Sequence, residues 1–167
     1  SHYALDSHAV RKREEGRVHL DGFLSYPSAV YTVPYGVMVP KEVGNLLLPV
    51  PVSGSHIGFS TLRMEPCWMA MGQAAGIASA LSIDGKVKVQ NIDLSRLQDK
   101  LVDQKATLMY FKDVDYTSPH FRMVQYLGLR GYLPEWTARL QEPVDMATLT
   151  AWKKLSGKDL PGIEAGK

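Results

Sequence analysis

An uncharged stretch of eighteen residues, Pro66 to Ile83, constrains this chain more than any other feature. It is rich in Ala and Gly, and residues that favour helix dominate it. Pro66 suits a first helical turn, where its missing N–H would have no helical partner in any case. The pattern therefore predicts a long buried helix, closed by Asp84 and Gly85.

One side of the predicted helix carries almost no side chains. Gly72 and Gly76 stand four residues apart and so share a face, which Ala75 and Ser79 extend. Each helical Gly costs about 1 kcal/mol relative to Ala, so this face predicts a close neighbour. Another helix, a strand or a flat ligand near the helix start would each fit. If such a neighbour packs on this face, Gly76→Leu should overpack it and lower the free energy of unfolding by about 1–3 kcal/mol.

Composition narrows the possible functions. The 167 residues, 45% hydrophobic and 22% charged, suffice for one or two soluble domains. A net charge of +2 without a basic, aromatic-rich run argues against nucleic acid as a partner. The central run has too few Leu and Ile residues for a membrane span. A single cysteine excludes an intrachain disulfide, and the five histidines lack metal-binding spacing, so no metal is expected.

The first half of the chain predicts short elements. The charged cluster Arg11 to Glu15, ending in Gly16, indicates a hairpin turn or a solvated loop. The prolines between Phe23 and Val39 favour short extended pieces, because proline interrupts strand pairing. Leu46 to Val52 is a continuous apolar run and predicts a buried strand. The polar start has no signal-peptide pattern and suggests part of a longer protein.

The second half predicts helices. Asp93 to Lys105 is amphipathic. A helix opened by Ser118 is expected to stop at Gly128 or Gly131, and another is expected from Asp145, as N-cap, to Leu155. The fold class is therefore an α+β fragment: short strands and a buried Ala/Gly-rich helix, followed by a small helical module. The predicted domains are residues 1–108 and 109–167.

Residues 45–76, NLLLPVPVSGSHIGFSTLRMEPCWMAMGQAAG, resemble FAD-dependent oxidoreductases of the glutathione-reductase-like superfamily. The bacterial xanthan-lyase-like group is the most similar, with its pattern NLLVPV-x-SASH-x-A-x-GSIRMEP followed by ALGQAAG. The segment FKDV-x(5)-HFRMVQYLGLRGYLP resembles a surface-layer-homology-like tail. No G-x-G-x-x-G occurs in the sequence, although that motif builds the pyrophosphate half of an FAD site. The resemblance therefore covers only the C-terminal part of such an enzyme.

The resemblance implies FAD as the cofactor of the complete protein. The long helix would direct its N-terminus at the flavin ring, where backbone N–H groups stabilise negative charge. Met71, Gly72, Gln73 and Ala74 are the implied flavin contacts, although packing also explains Gly72. The isolated chain is not expected to bind FAD, because it lacks the G-x-G-x-x-G of the pyrophosphate site, and its partner would be the missing N-terminal FAD-binding half.

His56 and Arg63 are the candidate catalytic residues. His56 is predicted to move a proton during substrate oxidation, with a backbone-bonded structural histidine as the alternative. Arg63 is predicted to bind a substrate carboxylate or to balance flavin charge, with a structural pair to Glu65 or to a loop carbonyl as the alternative. His8 and Asp6 form a possible acid/base pair or merely a surface turn.

Tyr31 and Tyr35, which lie between prolines, are candidates for lining a substrate pocket by stacking, or else for ordinary packing. The predicted function is the flavin-facing and substrate-side part of an oxidoreductase acting on an unknown substrate, with a sugar-derived alcohol suggested by the resemblance alone. The alternative is a catalytically inert interaction module at a cell surface. Self-association through exposed apolar faces is also expected. An extracytoplasmic location would follow from the resemblance only.

Overall fold

The computed structural model describes residues 1–9, 14–16 and 22–157. Within them the architecture is α+β, with five α-helices and one two-stranded sheet. The chain divides into two compact units, Ser1–Lys100 and Leu101–Lys167. Residues 11–13 of the predicted turn lie outside the described part, while Gly16 has a positive φ of 75°, which suits a turn.

The sheet in the first unit is a short antiparallel pair. Strand β1 covers Leu5–Ser7, strand β2 covers Leu24–Tyr26, and Asp6 lies opposite Ser25. The proline-rich stretch after β2 contains one 3-10 turn, Tyr35–Met38, rather than extended pieces alone.

The buried strand predicted from Leu46 to Val52 is wrong. Pro49 and Pro51 remove two N–H donors, and no strand forms there. Instead, isolated bonds tie the segment to the 3-10 turn: the N–H of Leu48 donates to the Met38 carbonyl at 2.8 Å, and that of Ser53 donates to the Val37 carbonyl at 2.7 Å.

Two consecutive helices follow. Helix α1 spans His56–Leu62, and Ser55 caps it by accepting a hydrogen bond from the Gly58 N–H at 3.0 Å. Helix α2 spans Glu65–Gly85, which confirms the long helix. Both pack on the core of the first unit, whose buried residues are Met38, Val52, Leu62, Met71 and Ala75.

The predicted burial of the small face of α2 is wrong for this chain. A Cβ added at Gly72 or at Gly76 would meet no atom within 4 Å, and Gly76 is exposed. Met69 and Ile83, on the same side, are 74% and 75% exposed. The helix is apolar on nearly every side, yet the described chain covers only the side of Met71, Ala75 and Ala78.

Gly76→Leu is therefore expected to leave the melting temperature of residues 1–167 unchanged or to raise it. Leu is the better helix former by about 0.8 kcal/mol, and the added side chain meets open space. Gly128→Ala is the matched control, because its new Cβ would lie 2.8 Å from the Phe111 ring. A marked loss of stability at Gly76 with none at Gly128 would contradict this packing.

Helix α3 spans Leu94–Asp103 and confirms the amphipathic prediction. Asp93 caps it, accepting from the N–H groups of Ser95 and Arg96 at 2.9 and 3.3 Å. Leu97 is buried, whereas Leu94 is exposed despite its place in the predicted stripe.

The second unit contains helices α4, Phe121–Leu129, and α5, Met146–Ser156, which confirms both predictions. Gly131, with φ of 81°, ends α4, and the Tyr132 N–H returns to the Leu127 carbonyl at 3.0 Å as in a Schellman motif. Asp145 caps α5 by accepting from the Thr148 N–H at 2.7 Å, and this bond lowers the pKa of its carboxyl.

A buried glutamine organises the core of the second unit. Gln125 is fully buried, and its Oε1 accepts from the N–H groups of Leu108 and Met109, both at 2.8 Å. Its Nε2 donates to the Met109 carbonyl at 2.7 Å. The apolar core around it is formed by Phe111, Val114, Val124 and Ala138.

Candidate functional site

Two residues, Arg63 and Met64, join α1 to α2, and we call them the elbow. Arg63 ends α1 with φ −79° and ψ 5°, and Met64 is extended before α2 begins at Glu65. The elbow directs the guanidinium toward β1 rather than toward Glu65. Nη2 of Arg63 lies 2.6 Å from Oδ2 of Asp6, so the partner of Arg63 is a residue that the sequence alone did not assign to it.

Asp6 joins several polar groups in the first unit. Its Oδ2 also accepts from the Tyr3 hydroxyl at 3.2 Å, and its backbone N–H donates to Oγ of Ser60 in α1 at 3.2 Å. The Arg63 guanidinium lies 5.7 Å from the centroid of the Tyr3 ring, within cation–π range. The Asp6 side chain is only 24% exposed, so its position is well fixed.

Two imidazoles complete this group. Nε2 of His8 lies 2.9 Å from Oδ1 of Asp6, and the His8 side chain is 63% exposed. Nε2 of His56 lies 2.9 Å from the backbone carbonyl oxygen of His8. We call Asp6, His8, His56 and Arg63 the Asp6 cluster. It brings the two predicted catalytic residues, His56 and Arg63, to one region of the surface.

The predicted substrate tyrosines are partly buried and bond groups outside the Asp6 cluster. The Tyr31 hydroxyl bonds Oγ1 of Thr61 at 2.8 Å, and the Tyr35 hydroxyl donates to the Val89 carbonyl at 2.9 Å. Burial raises the pKa of Tyr35, which keeps the hydroxyl protonated and donating. Both rings pack against the core of the first unit. Their role in binding substrate stays a prediction.

The predicted flavin contacts lie inside α2. Since the helix begins at Glu65, the N–H groups of residues 71–74 fall beyond its first turn, where helical carbonyls pair with them. Met71 is buried and Ala74 packs beside it in the core, whereas Gly72 faces open space and Gln73 is exposed. Contact with a flavin at these positions would therefore use the side of the helix, and it stays a prediction.

The first turn of α2 has one unusual polar atom. Nε1 of Trp68 is buried and has no hydrogen-bond acceptor among the described residues. A buried indole N–H normally has a hydrogen-bond partner, so this one is left unsatisfied by the described residues. The uncharged surface from Gly72 to Gly76 beside it would suit a flat, largely apolar ring.

A cavity lies elsewhere in the first unit. It has a volume of about 420 Å³ at the C-terminal end of α2, and its lining includes Ser79, Ser82, Lys86 and Val89. None of the predicted site residues lines it, and its polar groups bring together no acid/base pair. We place the candidate chemistry at the Asp6 cluster instead, because ionisable side chains converge there. The described residues contain no metal-binding group of three or more His, Cys, Asp or Glu side chains.

Sequence reasoning missed helix α1 and the central position of Asp6. Asp6 and His8 are two residues apart, so an extended strand places them on the same face. That spacing was the available signal, but it did not identify Arg63 as the third member, which lies 57 residues away along the chain.

Comparisons with known proteins place the chain in a family. The family model for FAD dependent oxidoreductase matches residues 1–101, which include β1, β2, α1, α2 and the Asp6 cluster. No curated protein and no solved structure gives a match. None of the described helices is long and apolar enough to span a membrane. By the family match, this chain belongs to the FAD-dependent oxidoreductases.

Proposed function

We propose that this chain forms the flavin-facing and substrate-side part of an oxidoreductase, and that a dinucleotide-binding half supplied by the rest of the full-length protein completes the FAD site. The observation that carries the proposal is the Asp6 cluster, which lies within the family-matched residues 1–101. The cluster joins the Asp6–Arg63 ion pair to two imidazoles, one bonded to the Asp6 carboxylate and one to the His8 carbonyl.

The residues present fit one part of an FAD site. The Trp68 indole N–H has no acceptor among the described residues, and the uncharged side of α2 at Gly72 and Gly76 is open. The sequence has no G-x-G-x-x-G for the pyrophosphate. We propose that Met71, Gly72, Gln73 and Ala74 border the flavin ring and that the open side of α2 is the surface that the dinucleotide-binding half covers.

The Asp6 cluster would act on the substrate. Bound FAD supplies the acceptor for the substrate hydride. Arg63 would hold an anionic group of the substrate, because its planar guanidinium presents further N–H donors beyond the one directed at Asp6. An imidazole of the cluster would take the proton that oxidation releases, and His56 is the residue that the sequence predicts for this step.

Finer assignments belong to the same proposal. The motif in residues 45–76 supports membership of the xanthan-lyase-like group, and a sugar-derived alcohol is the substrate class that this group suggests. Residues 109–167 would be an appended helical module of the surface-layer-homology type. That module lies outside the matched residues 1–101, and we propose no catalytic role for it.

The test of the proposed function is anaerobic reduction of the flavin in the full-length protein. Galactose and glucose serve as neutral probes, and galacturonate and glucuronate as anionic ones. At least one sugar is expected to bleach the oxidised flavin absorbance. A protein with bound flavin that none of the four sugars reduces would overturn the substrate class, and a protein unable to bind flavin would overturn the function.

A further inference from the structure

The two imidazoles of the Asp6 cluster are bonded to different kinds of acceptor. Nε2 of His56 faces a neutral carbonyl, that of His8, at 2.9 Å. Nε2 of His8 faces the carboxylate of Asp6, also at 2.9 Å. Both acceptors lack a proton to donate, so each Nε2 carries the hydrogen and each Nδ1 is the nitrogen that can take a proton.

The difference decides which ring has a charged partner that orients it. A carboxylate bonded to Nε2–H stabilises the positive imidazolium that forms when Nδ1 takes a proton, and it also holds the ring in one orientation. A neutral carbonyl offers less charge stabilisation.

Several contacts hold Asp6 and the His8 ring in place. Asp6 is fixed by Arg63 at 2.6 Å, by the Tyr3 hydroxyl at 3.2 Å and by its pairing with Ser25 across the sheet. The His8 ring makes an edge contact with the Phe23 ring at 5.1 Å between centroids. The His8 side chain remains 63% exposed and so can be reached by a substrate. A base oriented by a third group is the arrangement that acid/base catalysis uses.

We propose that His8, oriented by Asp6, is the proton acceptor of the site, and that His56 is a positioning residue that holds the His8 backbone through its Nε2–H. The inference rests on the proposed function. Oxidation of an alcohol breaks a C–H bond, whose hydride the cofactor accepts, and an O–H bond, whose proton passes to Nδ1 of His8 as the C=O bond forms. Arg63 and His8 both contact the Asp6 carboxylate. The binding of substrate to Arg63 is thereby linked to the orientation of the His8 ring.

The first test measures flavin reduction in the full-length FAD-loaded protein by the sugar that reduces it fastest. His8→Ala is expected to slow reduction about 100-fold or more, the range for a positioned acid/base group. Added imidazole should restore part of that rate, which a purely structural role would not allow. Asp6→Asn should also slow reduction, and Asp6→Glu should recover more of the rate than Asp6→Asn.

His56 provides the contrast. His56→Ala should slow reduction by about tenfold or less, imidazole should not rescue it, and His56→Gln, which keeps an N–H donor for the His8 carbonyl, should be slowed less than His56→Ala. Flavin content checks that each variant is folded. A large loss in His56→Ala that imidazole rescues, with little loss in His8→Ala, would overturn the assignment and restore His56 as the acceptor.

A second readout needs no substrate. Diethyl pyrocarbonate modifies neutral imidazoles. Residues 1–167 are treated with it at about pH 8.5, where imidazoles are mostly neutral, and the modified histidines are identified by mass spectrometry. Asp6→Asn should lower the modification rate of His8 several-fold and leave that of His120, in the second unit, unchanged. An unchanged His8 rate would overturn the Asp6–His8 pairing. If no sugar reduces the flavin, the substrate class fails, yet this result still decides the pairing.

Discussion

Arg63→Ala in the full-length flavoprotein is expected to raise KM for galacturonate by about 10- to 100-fold and to lower kcat much less. A hydrogen bond to a charged group contributes about 1.5–3 kcal/mol, and its loss corresponds to a change in KM of this size. The proposed contact would be the same in the ground state and in the transition state, so its loss would appear mainly in KM. Steady-state kinetics with galacturonate measure the effect.

Galactose is the control for this prediction, because it lacks the carboxylate and its KM should change little. Arg63→Lys should fall between the wild type and Arg63→Ala, since lysine keeps the charge and loses the planar fork. Arg96→Ala, an exposed arginine of α3, should leave both sugars unaffected. Equal losses for the charged and the neutral sugar would show that Arg63 supports the fold through Asp6 and does not bind the substrate.

Gln125→Leu is expected to destabilise the second unit by about 3 kcal/mol or more. The substitution leaves three partly buried backbone groups of Leu108 and Met109 without their partner, and an unpaired buried group costs about 1–3 kcal/mol. Chemical denaturation followed by Trp fluorescence measures the change, because Trp136 and Trp152 both lie in this unit.

Gln141→Leu is the matched control. Gln141 is exposed in the same unit, so this change should stay within about 0.5 kcal/mol of the wild type. If Gln125→Leu were as mild as Gln141→Leu, water would have to reach the backbone of residues 108–109, and the buried network would not hold as described.

Local signals in the sequence were sufficient for most of the helices. The cap at Asp145, the stop at Gly131 and the uncharged run after Pro66 each act within a few residues, and α2, α3, α4 and α5 appear where such signals predict them. The hydrophobic run before Ser53 failed as a strand signal because its prolines cannot join a ladder.

These local signals could not predict contacts between residues far apart in the sequence. Arg63 pairs with Asp6 across 57 residues of chain, and no spacing rule connects an elbow between two helices to a strand at the other end of the unit. Helix α1 was missed because its seven residues include Gly58 and several weak helix formers, so the Ser55 cap decides it. The small face of α2 predicted a close neighbour, but no described residue packs against it, because helical spacing shows which residues share a face and not what covers them.

The most direct test of the central claim is the amount of FAD retained after gel filtration. The full-length protein is expected to keep about one FAD per chain, because the family-matched residues 1–101 would then face a complete dinucleotide site. Residues 1–167 alone are expected to keep none, since they lack the G-x-G-x-x-G that binds the pyrophosphate. A colourless full-length protein, or stoichiometric FAD on residues 1–167, would contradict the account.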